Sequence, residues 1–217
     1  ISLPAISSHM PHRLPKLDPL NYYLTWNTIG TVAVLTTVDG KSIVKIQFHD
    51  TTHHSSILLQ NNDDFCFADI SNAAVCLAST STLGLDNKIY CVCFLLNRDT
   101  DWTKSFSSDS KIQNLCCSDK LIGLAFNSKI LIFSVTGFQM NSILLSGPIL
   151  YLVAKDEFIL TVECSNIFNE KDGIPIKSLR CQHIQLQHLS VTSIDTSNFA
   201  IPYNSSIIWA GFRFLKY

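Results

Sequence analysis

From Asn21 onward the chain is built of short apolar or alternating runs that recur about every 8 to 12 residues, with clusters of Ser, Asn, Asp and Gly between them. Nothing else in the sequence constrains the fold as much. A run that must turn back so soon has room for a strand but not for a stable helix. No long segment places apolar residues at three-and-four spacing. The pattern predicts strands at Tyr22–Asn27, Thr31–Thr37, Ser42–His49, Phe65–Ile70, Ala74–Ser79, Lys88–Leu96 and Lys111–Cys116. It continues at Leu121–Phe126, Lys129–Val135, Gln139–Leu145, Ile149–Ala154, Glu157–Cys164, Leu179–Gln187 and Ser206–Phe214. Asp39-Gly40 suits a tight hairpin because both residues tolerate positive φ. Ser118-Asp119-Lys120 and Ala154-Lys155-Asp156 read as short connections, and Gly147-Pro148 precedes a strand where a missing amide donor does little harm. The chain is therefore all-β. About fourteen strands joined mostly by hairpins amount to three or four blades of four-stranded antiparallel sheet. On periodicity alone, a propeller and a large barrel both remain open.

Composition narrows the function classes. The 217 residues are 47% hydrophobic and 15% charged, with a net charge of -1. That is ample material for a core and the opposite of the disordered signature. It also leaves no positive excess with which to displace counterions from nucleic acid. The longest apolar stretches, such as Ile149–Ala154 and Ile89–Leu96, fall well short of the roughly 20 residues that span a bilayer as a helix, so no membrane segment is expected. Residues 1–20 hold Pro4, Pro11, Pro15 and Pro19 and no apolar period, and read as a Pro-rich linker ahead of a domain over 21–217. They do not resemble a signal peptide. The start at Ile1 rather than Met leads us to expect a piece cut from a longer chain.

The residues with chemical potential have structural explanations of equal reach. Cys66, Cys76, Cys91, Cys93, Cys116, Cys117, Cys164 and Cys181 mostly sit in apolar runs, which favours buried reduced thiols in cytosol or nucleus over disulfides. Cys91 and Cys93 share one strand face, and Cys116 and Cys117 face opposite sides. None has knuckle spacing for zinc. His49, Asp50, His53 and His54 have the donor types for a metal, but no third element with matching spacing joins them, and a polar loop after a strand explains them equally. No Gly-x-Ser-x-Gly elbow and no phosphate-cradling glycine loop occurs. We therefore expect no catalytic residue, no metal site, no cofactor and no small-molecule substrate. Trp26, Trp102 and Trp209 are expected to pack between sheets.

Several runs together resemble a known family. LTWNTIG at Leu24–Gly30, VKIQFHDTTHHSSILL at Val44–Leu59 and FCFADISNAAVCLAST at Phe65–Thr80 match it in order and spacing. GPILYLVAKDEFILTVE at Gly147–Glu163 and SIIWAGF at Ser206–Phe212 continue the match. The family is the acidic nucleoplasmic DNA-binding protein, or WD-repeat and HMG-box DNA-binding protein, whose fungal counterpart is chromosome transmission fidelity protein four. The resemblance lies within its second propeller, the SepB domain.

The resemblance implies part of a six-bladed β-propeller in a non-enzymatic nuclear scaffold. Members of that family form homotrimers and tether the helicase complex, through GINS, to DNA polymerase alpha–primase. They associate with chromatin in DNA replication and support sister-chromatid cohesion. Their partner-docking helical bundle follows the second propeller; a WD-repeat propeller precedes it and an HMG box trails it in the animal proteins. The chain is expected to be an incomplete propeller whose open ring leaves edge strands unpaired. The rival reading is a generic WD-repeat-like interaction scaffold unrelated to replication. A metal-dependent enzyme, with His53 and His54 as ligands, or a cysteine-based one is a third.

Overall fold

Alternation decides the strands where one face is wet, and continuous apolar runs decide them where both faces are buried. In Ser42–Phe48, Val44, Ile46 and Phe48 are buried, while Lys45 and Gln47 point the other way. In Ala74–Ser79 and Leu121–Ala125 every residue is buried. The structure, a computed structural model, describes residues 21–52, 54–80, 86–94, 101–108, 111–127, 129–145, 147–171, 174–186, 190–194 and 200–202. The linker expected over residues 1–20 and the strand expected at Ser206–Phe214 lie outside them.

Four antiparallel sheets follow one another along the chain. The first is β1 (Tyr22–Trp26), β2 (Gly30–Thr36), β3 (Ser42–Phe48) and β4 (Ile57–Gln60). The second is β5 (Phe67–Ile70), β6 (Ala74–Ser79), β7 (Asn87–Cys93) and β8 (Trp102–Phe106). The third is β9 (Asn114–Cys117), β10 (Leu121–Ala125), β11 (Lys129–Ser134) and β12 (Gln139–Leu144). The fourth is β13 (Ile149–Lys155), β14 (Phe158–Lys171), β15 (Ile174–Gln185) and β16 (Ser190–Ile194), with β17 (Ala200–Pro202) also on β15. Each sheet is a meander in sequence order. First strands meet first strands, β1 against β5, β5 against β9 and β9 against β13. The sheets therefore stand as successive blades with β1, β5, β9 and β13 inside and β4, β8, β12 and β16 outside: a partial β-propeller, with no helix among the described residues.

The core lies between blades. Val32, Val44, Ile46, Ile70, Val75 and Leu77 fill the first seam. Cys76, Ile89, Cys91, Ile122, Leu124 and Phe133 fill the second, and Leu121, Ile130, Ile132, Ile149, Leu152 and Ile159 the third. The hairpin expected at Asp39-Gly40 is present. Gly40 takes a φ of 75°, its N–H donates to Thr37 O at 2.9 Å, and the Thr37 N–H donates to Lys41 O at 2.8 Å.

Four strands escape the sequence pattern: β4, β8, β16 and β17. The first three are outer strands, half-exposed, with residues such as Trp-Thr-Lys-Ser-Phe in β8, so their apolar signal is weak. The strand expected at Lys111–Cys116 begins only at Asn114 and ends at Cys117. The largest correction is in the fourth sheet, where β14 and β15 run 14 and 12 residues. Both overrun the expected Glu157–Cys164 and Leu179–Gln187 because their shared hairpin continues through Asn169↔Ile176 to Lys171↔Ile174. That stretch has polar residues and Pro175 and carries no clear apolar alternation.

Gly30 marks the tightest approach within the first blade. A Cβ there would stand 2.4 Å from the Gln47 carbonyl oxygen, a backbone atom that cannot swing aside. We expect Gly30→Ala to destabilise the chain by about 1–3 kcal/mol, read as a lower urea midpoint at unchanged slope. A midpoint equal to wild type would contradict the β2–β3 packing described.

Candidate functional site

The residues singled out by type do not converge. His49 follows β3, and its Nε2–H donates to the Asn27 carbonyl at 3.0 Å. Asp50 accepts from the Thr52 N–H at 2.9 Å and the Thr52 hydroxyl at 2.6 Å, closing a local turn. The His54 ring packs between Phe48 and Phe94, 4.7 Å from each centroid. His53 lies outside the described residues. The two described histidines of this cluster are thus occupied in different ways, and among the described residues no group of three or more His, Cys, Asp and Glu could hold a metal ion.

The cysteines fall where strand alternation puts them. Cys91 and Cys93 face the second seam together, whereas Cys117 faces it and Cys116 faces the third. Cys76 brings its sulfur 3.3 Å from that of Cys91, its cross-strand partner, and 3.9 Å from that of Cys117. Cys66, Cys76, Cys91, Cys93, Cys116, Cys117 and Cys181 are all free thiols; Cys164 has no described side chain. Burial pushes the Cys76 and Cys116 thiols well above the ordinary value, and Cys181 is raised for the same reason. A thiol so held is poor in thiolate and in nucleophilicity. Of the tryptophans, Trp102 packs between the second and third blades as expected. Trp26 does not: it is 56% exposed beside Tyr23, on the face of the first blade turned away from the second. Trp209 lies outside the described residues.

What the tertiary structure does assemble is a belt of polar turns at one end of the inner strands. After β1, Asn27 accepts the Ile29 and Gly30 N–H groups through Oδ1 and donates Nδ2 to Ile70 O on the next blade at 2.7 Å. After β5, the Ser71 hydroxyl donates to Ser118 O at 3.2 Å. Asn72 gives its N–H to Asp119 Oδ1 at 2.9 Å and its side-chain amide to Oδ2 at 3.3 Å. After β9, the Ser118 hydroxyl donates to Asp156 O at 2.6 Å, and Lys120 pairs with Glu157 at 2.6 Å. Each turn clasps the corresponding turn of the next blade.

Asp69 completes the join between the second and third blades from within β5. Its Oδ2 accepts the Cys117 N–H at 2.8 Å and its Oδ1 the Ile70 N–H at 2.9 Å. Burial of the carboxyl group pushes its pKa up to about 7, and the two N–H donors pull the other way without offsetting the desolvation. These groups hold blades together; none stands beside a nucleophile and base in reach of one another. At the other end of the first blade, a cleft of about 370 Å³ opens between the β2–β3 hairpin and the segment after β4, lined by Thr37, Asp39, Lys41, Ile43, Gln60 and Asn61 among others. Neither Asp69 nor the belt was found from sequence. The available signal was a polar residue closing each inner strand, repeated as Asn27, Ser71, Ser118 and Asp156 along the chain.

The family described as minichromosome loss protein, Mcl1, middle region matches residues 9–214. WD repeat and HMG-box DNA-binding protein 1 of Xenopus laevis is 28% identical over 156 residues, 71% of this chain and 13% of that protein. The Homo sapiens protein of the same name is 26% identical over the same share. The chain therefore spans only 13% of the length of these curated relatives. Among solved structures, the Neurospora crassa Pan2 WD40 domain is 14% identical with a TM-score of 0.44, covering 83% of this chain and 51% of that one. HIRA(644-1017) is 13% identical with a TM-score of 0.35, covering 61% and 56%.

Asp69 gives a pH test of the blade join. Its carboxyl pKa rises from 3.8 to about 7 on folding, so between those values the folded chain holds a proton that the unfolded chain has released. Stability then falls as pH rises through that window, by up to about 1.4 kcal/mol per pH unit, and the loss is complete above it. Asp69→Asn should flatten the urea-midpoint profile between about pH 4 and 7. An Asn variant that kept the wild-type slope would remove Asp69 as its source.

Proposed function

The chain belongs to the family of the minichromosome loss protein Mcl1 middle region, and from that premise we propose that it is a non-enzymatic architectural segment of a nuclear DNA-replication adaptor. The observation that carries the reading is the family match across residues 9–214 of a chain whose polar side chains are spent on joining blades. A propeller arc of this kind offers rigid surfaces and strand edges, which suits holding other proteins in place. In the finer reading the parent protein links the GINS-containing helicase complex to DNA polymerase alpha–primase, self-associates as a trimer and supports sister-chromatid cohesion. Its association with chromatin would then come chiefly from elsewhere, since a chain with net charge -1 has little electrostatic hold on phosphate.

The test is proximity labelling in synchronised cells with the protein tagged at its own locus. GINS and polymerase alpha–primase subunits should be enriched in the nucleus during S phase over other stages. Labelling confined to complexes without replication proteins, or unchanged through the cycle, would overturn the reading in favour of a general interaction scaffold.

A further inference from the structure

β12 is the outer strand of the third blade, and among the described residues it pairs with β11 alone. Exposed edges are normally blunted by lysine, proline or a bulge, because their free amides and carbonyls invite another strand. β12 has neither charge nor proline in Gln139–Leu144, and its bulge, at Met140, leaves Asn141–Leu144 in regular register with β11. Phe138, Met140 and Leu144 are 75%, 52% and 80% exposed. The other outer strands differ: β8 turns Thr103 and Ser105 outward, and β4 and β16 each expose one large apolar residue, Leu58 and Val191.

Register fixes the side on which these residues stand. Leu144 lies opposite Lys129, and Ser142 opposite Leu131. Leu131 and Phe133 point into the seam shared with the second blade. Ser142 and Leu144 therefore form the outer lip of that seam, beyond the bulge at Met140. The same lip is cationic. Lys104 of β8 holds Nζ 5.4 Å from the Phe133 ring centroid, and Lys129 holds Nζ 5.6 Å from that of Phe126. Neither lysine is paired with a carboxylate among the described residues. The turn leading into β12 is fixed as well. Trp102 Nε1–H donates to Val135 O at 2.8 Å, and its ring occupies the space a side chain on Gly137 would need, 2.8 Å from an ideal Cβ.

We infer that this edge is a docking site for an extended segment of another protein, one that carries carboxylates and apolar side chains on the same face and pairs with β12 as a fifth strand of the third blade. Main-chain hydrogen bonds supply the pairing. Leu144 receives the apolar groups. Lys104 and Lys129, held against aromatic faces, receive the carboxylates. A second copy of β12 fits worse, because Thr136–Leu145 contains no carboxylate and would bring a like set of lysines to the contact. One local bond must yield: Asn141 Oδ1 accepts the Ser142 N–H at 2.7 Å, and an incoming strand displaces it. This inference stands apart from the replication reading and does not need it.

The probe is a fluorescein-labelled peptide with the sequence Ile-Thr-Glu-Thr written twice, which places Ile and Glu on one strand face, titrated with the full chain by anisotropy. Saturable binding is expected, weakened at least about tenfold by the double change Lys104→Glu with Lys129→Glu and by Leu144→Glu. The double variant should gain affinity for the same peptide with Lys in place of Glu, which an unfolded chain would not do. Asn141→Ala should bind the original peptide more tightly. Absence of saturable binding, or affinity indifferent to the lysine reversal, overturns the inference. So does a wild-type dimer in light scattering that Leu144→Glu dissociates, which would give the edge to a second copy.

Discussion

Val75 and Leu77 face the first blade, while Ala74, Cys76 and Ala78 on the same strand face the third. β10 repeats the arrangement, with Ile122 and Leu124 on one side and Leu121 and Ala125 on the other. This two-sided burial is the constraint on which the remaining structure depends. A four-stranded meander alone has one face too many for a soluble sheet, and stacking against neighbours on both sides is what removes that apolar area from water. Most of the stabilising contact therefore lies between blades, and each middle blade is held by what flanks it.

Apolar seams are tolerant of sliding, and the polar contacts limit it. The clasp of Asn27 on Ile70, of Asn72 on Asp119 and of Ser118 on Asp156 fixes the height of each inner strand against the next. Asp69 does the same from inside the seam through the Cys117 amide. Burying that carboxyl group is unfavourable, as its raised pKa records. It answers the backbone amide of a neighbouring blade, which would otherwise be left without a partner in a dry interface.

The residues with most chemical promise are likewise taken up by structural contacts. His49 and His54 are spent on a carbonyl and two aromatic rings, and the sulfurs of Cys76, Cys91 and Cys117 meet in a closed core, where burial pushes the Cys76 thiol well above its ordinary pKa. What remains open to other molecules is the outside of the arc, where strand edges and lips between blades carry groups without internal partners. A surface of that kind suits a family of interaction proteins more than it suits catalysis.

Strand after strand of the inner and middle positions was legible in the sequence, because β2, β3, β6, β10 and β11 carry apolar runs strong enough to declare themselves, and Asp39-Gly40 declared its turn. The outer strands β4 and β8 were not, since a half-wet edge needs little apolar character to persist once β3 and β7 are in place. Trp26 was expected to pack between sheets and is 56% exposed, because its register with Thr31 sets it on the face of the first blade turned away from the second. The sequence by itself determined the all-β class, the meander and the opposite facing of Cys116 and Cys117, all of which follow from local period and turn chemistry. Only the tertiary structure decided that Asn72 meets Asp119, that Asp69 is buried against Cys117, and that Lys104 and Lys129 share one lip with Leu144. Those contacts join residues on different blades or at opposite ends of a strand pair, and no period within a strand encodes which neighbour a folded sheet will bring to it.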